Sequence, residues 1–271
     1  KLPKEQDLDS MMDILLNMRP DLEETLGLFK KLKLPEFERD TEYVCLVSDD
    51  NEYPLLSGDI GSSDGVRINK KDYLKKINEF VVPHSTAKHT KMSRDSYMVG
   101  ALARFNMNYN KLHPKAKEAA EVLGFKAPNR NSFMITAAQL VECFHCLEES
   151  ITILEYFKEN GVNQDEKIVV GLNEQNRIPV NPGVGVGAVE VPRGLLIHNY
   201  EVDKEGKISA ANCIIPTNQN VNNVEHDMRK IVPEILDKSD DDITLTLEML
   251  VRAYDPCISC SAHFLNVKVV R

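Results

Sequence analysis

The chain has 271 residues, of which 42% are hydrophobic, and a formal net charge of −9 at pH 7. Its hydrophobic content is sufficient for one large globular domain or two small ones. The acidic balance argues against nucleic acid and anionic membranes as main partners, because Lys and Arg neither predominate nor cluster. No apolar run reaches the roughly 20 residues needed to span a bilayer, and the polar first residues do not match a secretion signal, so the cytoplasm is the expected compartment.

Helical spacing of apolar residues dominates the chain. Residues 8–33 show this spacing, and Pro20 predicts a break into two helices. A strand is predicted at 41–48, after which Asn69 is expected to cap a helix that runs through Phe80. Further helices are predicted at residues 97–109, 113–123, 132–160, 219–236 and 243–253. The broad apolar stripe of residues 132–160 predicts a central core helix.

A smaller β region is predicted in the second half. Residues 195–202 and 208–215 alternate in polarity around the turn residues 203–207, which is typical of a β-hairpin. Together these elements predict a mainly α fold with small β-hairpins, an α+β protein built around a bundle of long helices. We treat residues 1–271 as a single domain.

Most of the cysteines are interpreted as core residues. Cys45, Cys143, Cys146 and Cys213 have apolar neighbours in the sequence, where a reduced thiol packs as a small hydrophobe. Cys143 and Cys146 form a C-x-x-C pair that a helix would present on one face. Zinc would need two further ligands from elsewhere, whereas the apolar stripe already accounts for both residues as buried.

The stretch from Pro83 to His89 contains two histidines, a serine and a lysine. These side chains could form a polar site. No carboxylate or thiol accompanies them in the sequence, so a loop with satisfied hydrogen bonds is the favoured interpretation.

The most informative motif lies near the end of the sequence. Cys257 and Cys260 are three positions apart, so a turn can direct both thiols to one metal, and His263 is one further turn away. Thiolates favour zinc, iron–sulfur clusters, copper(I) or nickel, depending on the ligands that complete the set. The spacing by itself also fits a zinc half-site or a redox dithiol.

The flanking residues make the motif more specific. Residues 255–263 read D-P-C-x-x-C-x-x-H and resemble the signature that ends the large subunit of nickel–iron hydrogenases. Residues 190–194 read E-V-P-R-G and resemble the E-A-P-R-G segment of that family, with Val191 in place of the usual Ala. Residues 216–217 match the family's Pro-Ser/Thr pair. All three motifs occur in the same order as in the family. The resemblance implies the family's fold, a bundle of long helices.

The resemblance implies a role for each of these residues. Cys257 would be a terminal thiolate on nickel, and Cys260 a thiolate that bridges nickel to an iron carrying carbon monoxide and cyanide. Arg193, positioned by Pro192, and Thr217 would each hydrogen-bond a cyanide, and Asp255 would lie next to Arg193. His263 would bind Mg2+, with the Cys213 backbone carbonyl as a further ligand. The implied reaction is reversible heterolysis of dihydrogen, with the proton taken by a cysteine sulfur or Arg193.

The resemblance also implies partners. Residues 83–89 and 97–104 are similar to soluble cytoplasmic members of the sulfhydrogenase, viologen-reducing or NAD(P)-linked type. Such members work with an iron–sulfur small subunit and with diaphorase-like or heterodisulfide-type subunits that carry iron–sulfur clusters and, in some, flavin or NAD(P). A maturation chaperone inserts the metals, and an endopeptidase removes an extension after the motif histidine, which residues 264–271 would represent here.

One family feature has no match in the sequence. The N-terminal R-x-C-G-x-C-x-x-x-H motif, which supplies the other two thiolates, is not found, so the chain is interpreted as the C-terminal two-thirds of a large subunit. Two other interpretations stay open. One is a metal-free structural or assembly subunit of a redox complex, and the other is a zinc module that uses Cys257, Cys260, His263 and one outside ligand.

Overall fold

The computed structural model describes residues 2–163 and 181–261, so His263 and the tail 264–271 lie outside the described residues. The helices are α1 (Glu5–Phe29), α2 (Ala101–Asn108), α3 (Pro114–Val122), α4 (Ile135–Asn160), α5 (Pro216–Ile235), α6 (Asp240–Ala253) and α7 (Ile258–Ser261). The strands are β1 (Glu42–Val47), β2 (Asp59–Ser62), β3 (Arg67–Ile68), β4 (Asn78–Phe80), β5 (His89–Lys91), β6 (Tyr97–Met98), β7 (Gly183–Val191), β8 (Gly194–Val202) and β9 (Ile208–Ile214).

The strands form three small sheets around the helices. Four strands pair in the order β3-β2-β1-β6, β4 pairs with β5, and β7, β8 and β9 form an antiparallel meander. One apolar cluster joins helices α2 to α6 around Phe105, Val141 and Leu250. A second cluster packs the four-stranded sheet against the meander through residues such as Leu46 and Leu195. The predicted fold class, mainly α with small sheets, is confirmed.

Several local predictions are wrong. Pro20 does not break α1, which is one continuous helix and is held on α4 by a salt bridge between Arg19 and Glu148. Asn69 caps only a short 3-10 helix, Lys70–Lys75, because the chain then enters β4. Residues 97–98 form a strand, and α2 begins after Gly100, whose φ of 106° no helix interior adopts.

The cysteine prediction is correct only for Cys45, which is buried. Cys143, Cys146 and Cys213 are exposed. On α4 the apolar stripe faces the core through Val141 and Phe144, which leaves both cysteines on the outer side of the helix. Cys213 belongs to β9, an edge strand in which Ile214 is the buried residue.

No helix within residues 2–163 and 181–261 is both long enough and apolar enough to cross a bilayer.

Candidate metal centre

Arg193 lies in a tight hairpin loop between β7 and β8. Val191 pairs with Gly194, so Pro192 and Arg193 form the turn. The Arg193 Nε donates to the backbone carbonyl of Asp255, and its Nη2 donates to Asp255 Oδ1 at 3.1 Å. Two contacts fix the plane of the guanidinium, which is 39% exposed. Arg193 and Asp255, 62 positions apart in the chain, therefore meet at the surface.

A buried ion-pair network holds this hairpin loop from behind. The Arg104 guanidinium contacts Glu142 at 2.6 Å and Glu190 at 2.8 Å, and its Nη2 donates to the Pro192 carbonyl at 3.2 Å. Glu190 also accepts from the backbone N–H of Leu46, which ties β7 to β1. Burial raises the pKa of Glu190, and the charge of Arg104 offsets part of this effect. The network fixes the position of the backbone that carries Arg193.

Two glycines allow close backbone packing at the same loop. Gly194 has a φ of 131°, and a Cβ there would lie 2.5 Å from Val99 Cγ2. A Cβ on Gly100 would lie 2.9 Å from the Arg193 carbonyl oxygen. The loop thus rests directly on the segment that begins α2, and larger residues at either position would push it away.

Helix α5 directs its N-terminus at the site and holds the surrounding strands. Asn220 bonds both the N–H and the carbonyl of Val99, and Gln219 Nε2 donates to the Leu195 carbonyl. Thr217, which is 5% exposed, accepts from the backbone N–H of Cys257 at 3.2 Å. The N-terminal end of a helix carries partial positive charge and unpaired N–H groups, so this location favours an anion.

A second buried network sets where α6 ends. The Tyr254 hydroxyl donates to Asp227 and accepts from Asn223 Nδ2 at 2.8 Å, and Arg39 pairs with Asp227. Burial and the neighbouring Asp227 carboxylate raise the pKa of Tyr254 well above its usual value, so the hydroxyl keeps its proton. The next residue, Asp255, has a φ of 48° and turns the chain sharply out of the helix.

The turn at Asp255 leads into the segment that carries the cysteine pair. Cys257 and Cys260 are joined as a disulfide, with Cα atoms 5.3 Å apart, and the Cys260 N–H donates to the Cys257 carbonyl at 3.1 Å. The two sulfurs are therefore neighbours, and Cys257 and Cys260 lie two and five positions after Asp255. Binding of one metal by both sulfurs requires them to be reduced to thiolates.

The predicted residues fall into two groups. Hydrogen bonds join Arg193 to Asp255 and Thr217 to Cys257, and Pro192 and Cys260 flank these two pairs. Cys213 lies in β9 opposite His198, four positions before Thr217, and its role as a Mg2+ ligand stays a prediction. His263 lies outside the described residues.

Sequence reasoning missed the residues that support the site. Arg104, Glu142 and Glu190 were not identified as a network, although a charged residue within the apolar face of α2 and another within β7 were a visible signal of buried ion pairing. The pairing itself depends on tertiary contacts across 38 and 86 positions.

The fold is shared with solved hydrogenase structures. An NAD+-reducing NiFe-hydrogenase in the H2-reduced state superposes with a TM-score of 0.74 at 22% identity, over 97% of this chain and 61% of that chain. The Ni-Fe-Se hydrogenase from D. vulgaris Hildenborough superposes with a TM-score of 0.62 at 17% identity, over 96% of this chain and 62% of that chain.

Sequence comparisons point to the same group. Sulfhydrogenase 1 subunit alpha of Pyrococcus furiosus is 32% identical over 98% of this chain and 60% of that protein. NAD-reducing hydrogenase HoxS subunit beta of Cupriavidus necator is 27% identical over 82% of this chain and 47% of that protein. The chain thus spans less than two thirds of the length of these relatives. A family model described as nickel-dependent hydrogenase matches residues 65–263. The chain belongs to the nickel-dependent hydrogenase family.

Proposed function

We propose that this chain is part of a nickel–iron hydrogenase large subunit and supplies two of the cysteine ligands of its metal centre. The observation that supports this most strongly is that Arg193 and Thr217, from two other parts of the sequence, both bond the segment that carries the cysteine pair, Arg193 at Asp255 and Thr217 at the Cys257 N–H. A redox dithiol needs only the two cysteines, and a zinc module needs these with His263 and one outside ligand; neither accounts for the arginine and the helix end close to the cysteine pair.

The donor set fits a nickel–iron group. Reduced Cys257 and Cys260 would offer two soft thiolates on adjacent sulfurs, which suit nickel, and Cys260 would also be available to the iron. Thr217 and the N-terminus of α5 would stabilise anionic ligands such as cyanide on the iron. When bound, such a centre supplies the two metals at which dihydrogen can be split into a proton and a hydride.

The protein side chains would orient ligands and handle the proton. Asp255 holds the Arg193 guanidinium in one plane through its carbonyl and carboxylate, so the charge of Arg193 keeps a fixed direction. The proton would be taken at Cys257 Sγ, or by Arg193 after its guanidinium has given up a proton. Mg2+ would bind to His263 and the Cys213 carbonyl.

The remaining thiolates and the electron acceptors would come from elsewhere. We propose that a further segment provides the other two cysteines, and that electrons pass to an iron–sulfur small subunit and then to diaphorase-like or heterodisulfide-type subunits. A maturation chaperone and an endopeptidase would act during assembly in the cytoplasm. The names of the relatives, which are α, A or β subunits of multi-subunit hydrogenases, support the existence of such partners.

The test is the metal content and infrared spectrum of the complex, purified under reducing conditions with its companion polypeptides. We expect nickel, iron and the absorption bands of metal-bound carbon monoxide and cyanide. In Cys260→Ser, nickel and dihydrogen oxidation should be lost while unfolding is unchanged. Cys143→Ser is the matched control, because it removes an exposed cysteine from the outer side of α4. Zinc in place of nickel, or full activity in Cys260→Ser, would refute the proposal.

A further inference from the structure

A second group of metal-binding side chains lies away from the cysteine pair. His84 Nε2 is 2.8 Å from Glu225 Oε1, and His89 Nε2 is 2.9 Å from the same oxygen. All three ligand atoms lie within 4.8 Å of one another. The carboxylate that the sequence around His84 and His89 lacked is thus supplied by α5, from 136 positions beyond His89.

The hydrogen bonding of His89 is compatible with a cation between His89 Nε2 and the Glu225 carboxylate. Its Nδ1 lies 3.3 Å from the Ala87 carbonyl oxygen, which can only accept, so Nδ1 carries a proton. In a neutral imidazole Nε2 then has a lone pair, and it faces a carboxylate oxygen. A metal ion between the two atoms would accept an electron pair from each of them. A metal-binding histidine whose other nitrogen donates to a backbone carbonyl is the usual arrangement around protein-bound metals.

Burial and charge are compatible with a bound cation. His89 is 1% exposed and Glu225 25%, so two of the ligands are held in a defined position. His84 is 57% exposed and leaves one side open to water. The nearest basic side chains do not occupy the common oxygen: Arg229 is 3.5 Å from the other oxygen, Glu225 Oε2, and Lys88 pairs with Glu79.

We propose that His84, His89 and Glu225 bind a divalent transition-metal ion, with zinc as the best match. Two imidazoles and one carboxylate, completed by water, form a common four-coordinate zinc site, whereas Mg2+ and Ca2+ prefer oxygen ligands. The ion would join the segment before β5 to α5. Glu225 is eight positions from Thr217, about 12 Å along the helix at ~1.5 Å per residue, so this site is separate from the cysteine pair and independent of the proposed hydrogenase activity.

The experiment removes the cysteine site first. A chain carrying Cys257→Ser and Cys260→Ser, stripped of metal with a chelator, is titrated with Co2+ as a spectroscopic substitute for zinc. We expect visible absorption typical of four-coordinate cobalt to saturate at one equivalent, without the sulfur-to-cobalt absorption that thiolates produce. Zn2+ should displace the cobalt and raise the melting temperature.

Variants locate the ion. His84→Ala should abolish the cobalt absorption, and its exposed position makes unfolding of the chain an unlikely result of the change. Glu225→Gln keeps a hydrogen-bond acceptor for both histidines and should weaken binding by at least about 100-fold, more than the ~10–100-fold expected for loss of a residue next to a ligand. His226→Ala, the neighbouring residue on α5, is the matched control and should bind as the parent does. Absence of binding in the parent, or equal binding in His84→Ala, would overturn the proposal.

Discussion

The candidate metal centre and the ion pairs behind it use similar residues in opposite environments. Arg193 and Asp255 are 39% and 44% exposed, whereas Arg104 and Glu190 are 2% and 0% exposed. An exposed pair contributes little to stability because water screens it. A buried pair leaves an uncompensated charge in the interior when one partner is removed.

Buried and exposed ion pairs have different roles in this site: the buried ones support the backbone, and the exposed side chains are available for binding. The buried networks around Arg104 and Asp227 hold the backbone of the hairpin loop and the end of α6. The side chains that extend from these backbones, Arg193 and Cys257, remain accessible to a metal group. Stability and ligand binding should therefore respond to different substitutions, and each prediction below tests that separation.

Arg104→Ala should cause the largest loss of stability. It removes the partner of Glu142 and Glu190 and leaves buried carboxylates unpaired, which costs about 3–5 kcal/mol. The measurement is the free energy of unfolding from urea denaturation. Arg67→Ala is the control, since Arg67 also pairs with two aspartates but at the surface. Equal effects of the two substitutions would show that burial does not distinguish the networks.

Tyr254→Phe should have an intermediate effect. The change keeps the ring but removes the hydroxyl that Asp227 and Asn223 share, and leaving a buried polar group unpaired costs about 1–3 kcal/mol. Urea unfolding gives the loss directly. Tyr109→Phe, directly after α2, serves as a comparison, and a Tyr254→Phe protein with unchanged stability would contradict the role given to this network.

The long helices and the β8–β9 hairpin were predictable from the sequence, whereas the continuity of α1 through Pro20 was not. Helices α3, α4 and α6 and the hairpin of β8 and β9 match the predicted segments within a few residues, because apolar periodicity and capping residues act locally. Pro20 should break a helix by local rules. Packing of α1 on α4 overrides that cost, which no pattern within α1 reveals.

In the candidate site, likewise, the motif residues were predictable from the sequence and the residues that support them were not. Spacing singled out Cys257 and Cys260, the resemblance to the hydrogenase family singled out Arg193 and Thr217, and the chain does bring Arg193 to Asp255 and Thr217 to Cys257. Their supports could not be predicted, since Arg104, Glu190 and Asp227 find their partners only in the folded chain. The same holds for Glu225, which meets His84 across 141 positions.

Thr217→Val should have a smaller effect on stability and a selective one on the metal site. It preserves the shape of the side chain but leaves the Cys257 N–H without its acceptor, a loss of about 0.5–1.5 kcal/mol. In the infrared spectrum of the proposed centre, one cyanide band should shift. Thr217→Ser keeps the hydroxyl and should restore both properties. Identical spectra for Thr217→Val and the parent would remove Thr217 from the proposed set of cyanide contacts.

Arg193→Ala should change stability least, because a half-exposed ion pair contributes about 0–1 kcal/mol and the backbone of the loop is held by Arg104. Its effect on dihydrogen oxidation should nevertheless be the largest among the substitutions that leave the cysteines intact. Arg193→Lys separates charge from geometry. An ammonium group keeps the charge but cannot reach the Asp255 carbonyl and carboxylate in one plane, so we expect little recovery of activity. The measurements are hydrogen-dependent dye reduction and urea unfolding of the same preparations. If Arg193→Ala instead unfolded as readily as Arg104→Ala, the loop would depend on its exposed contacts, and the two roles would not be separate.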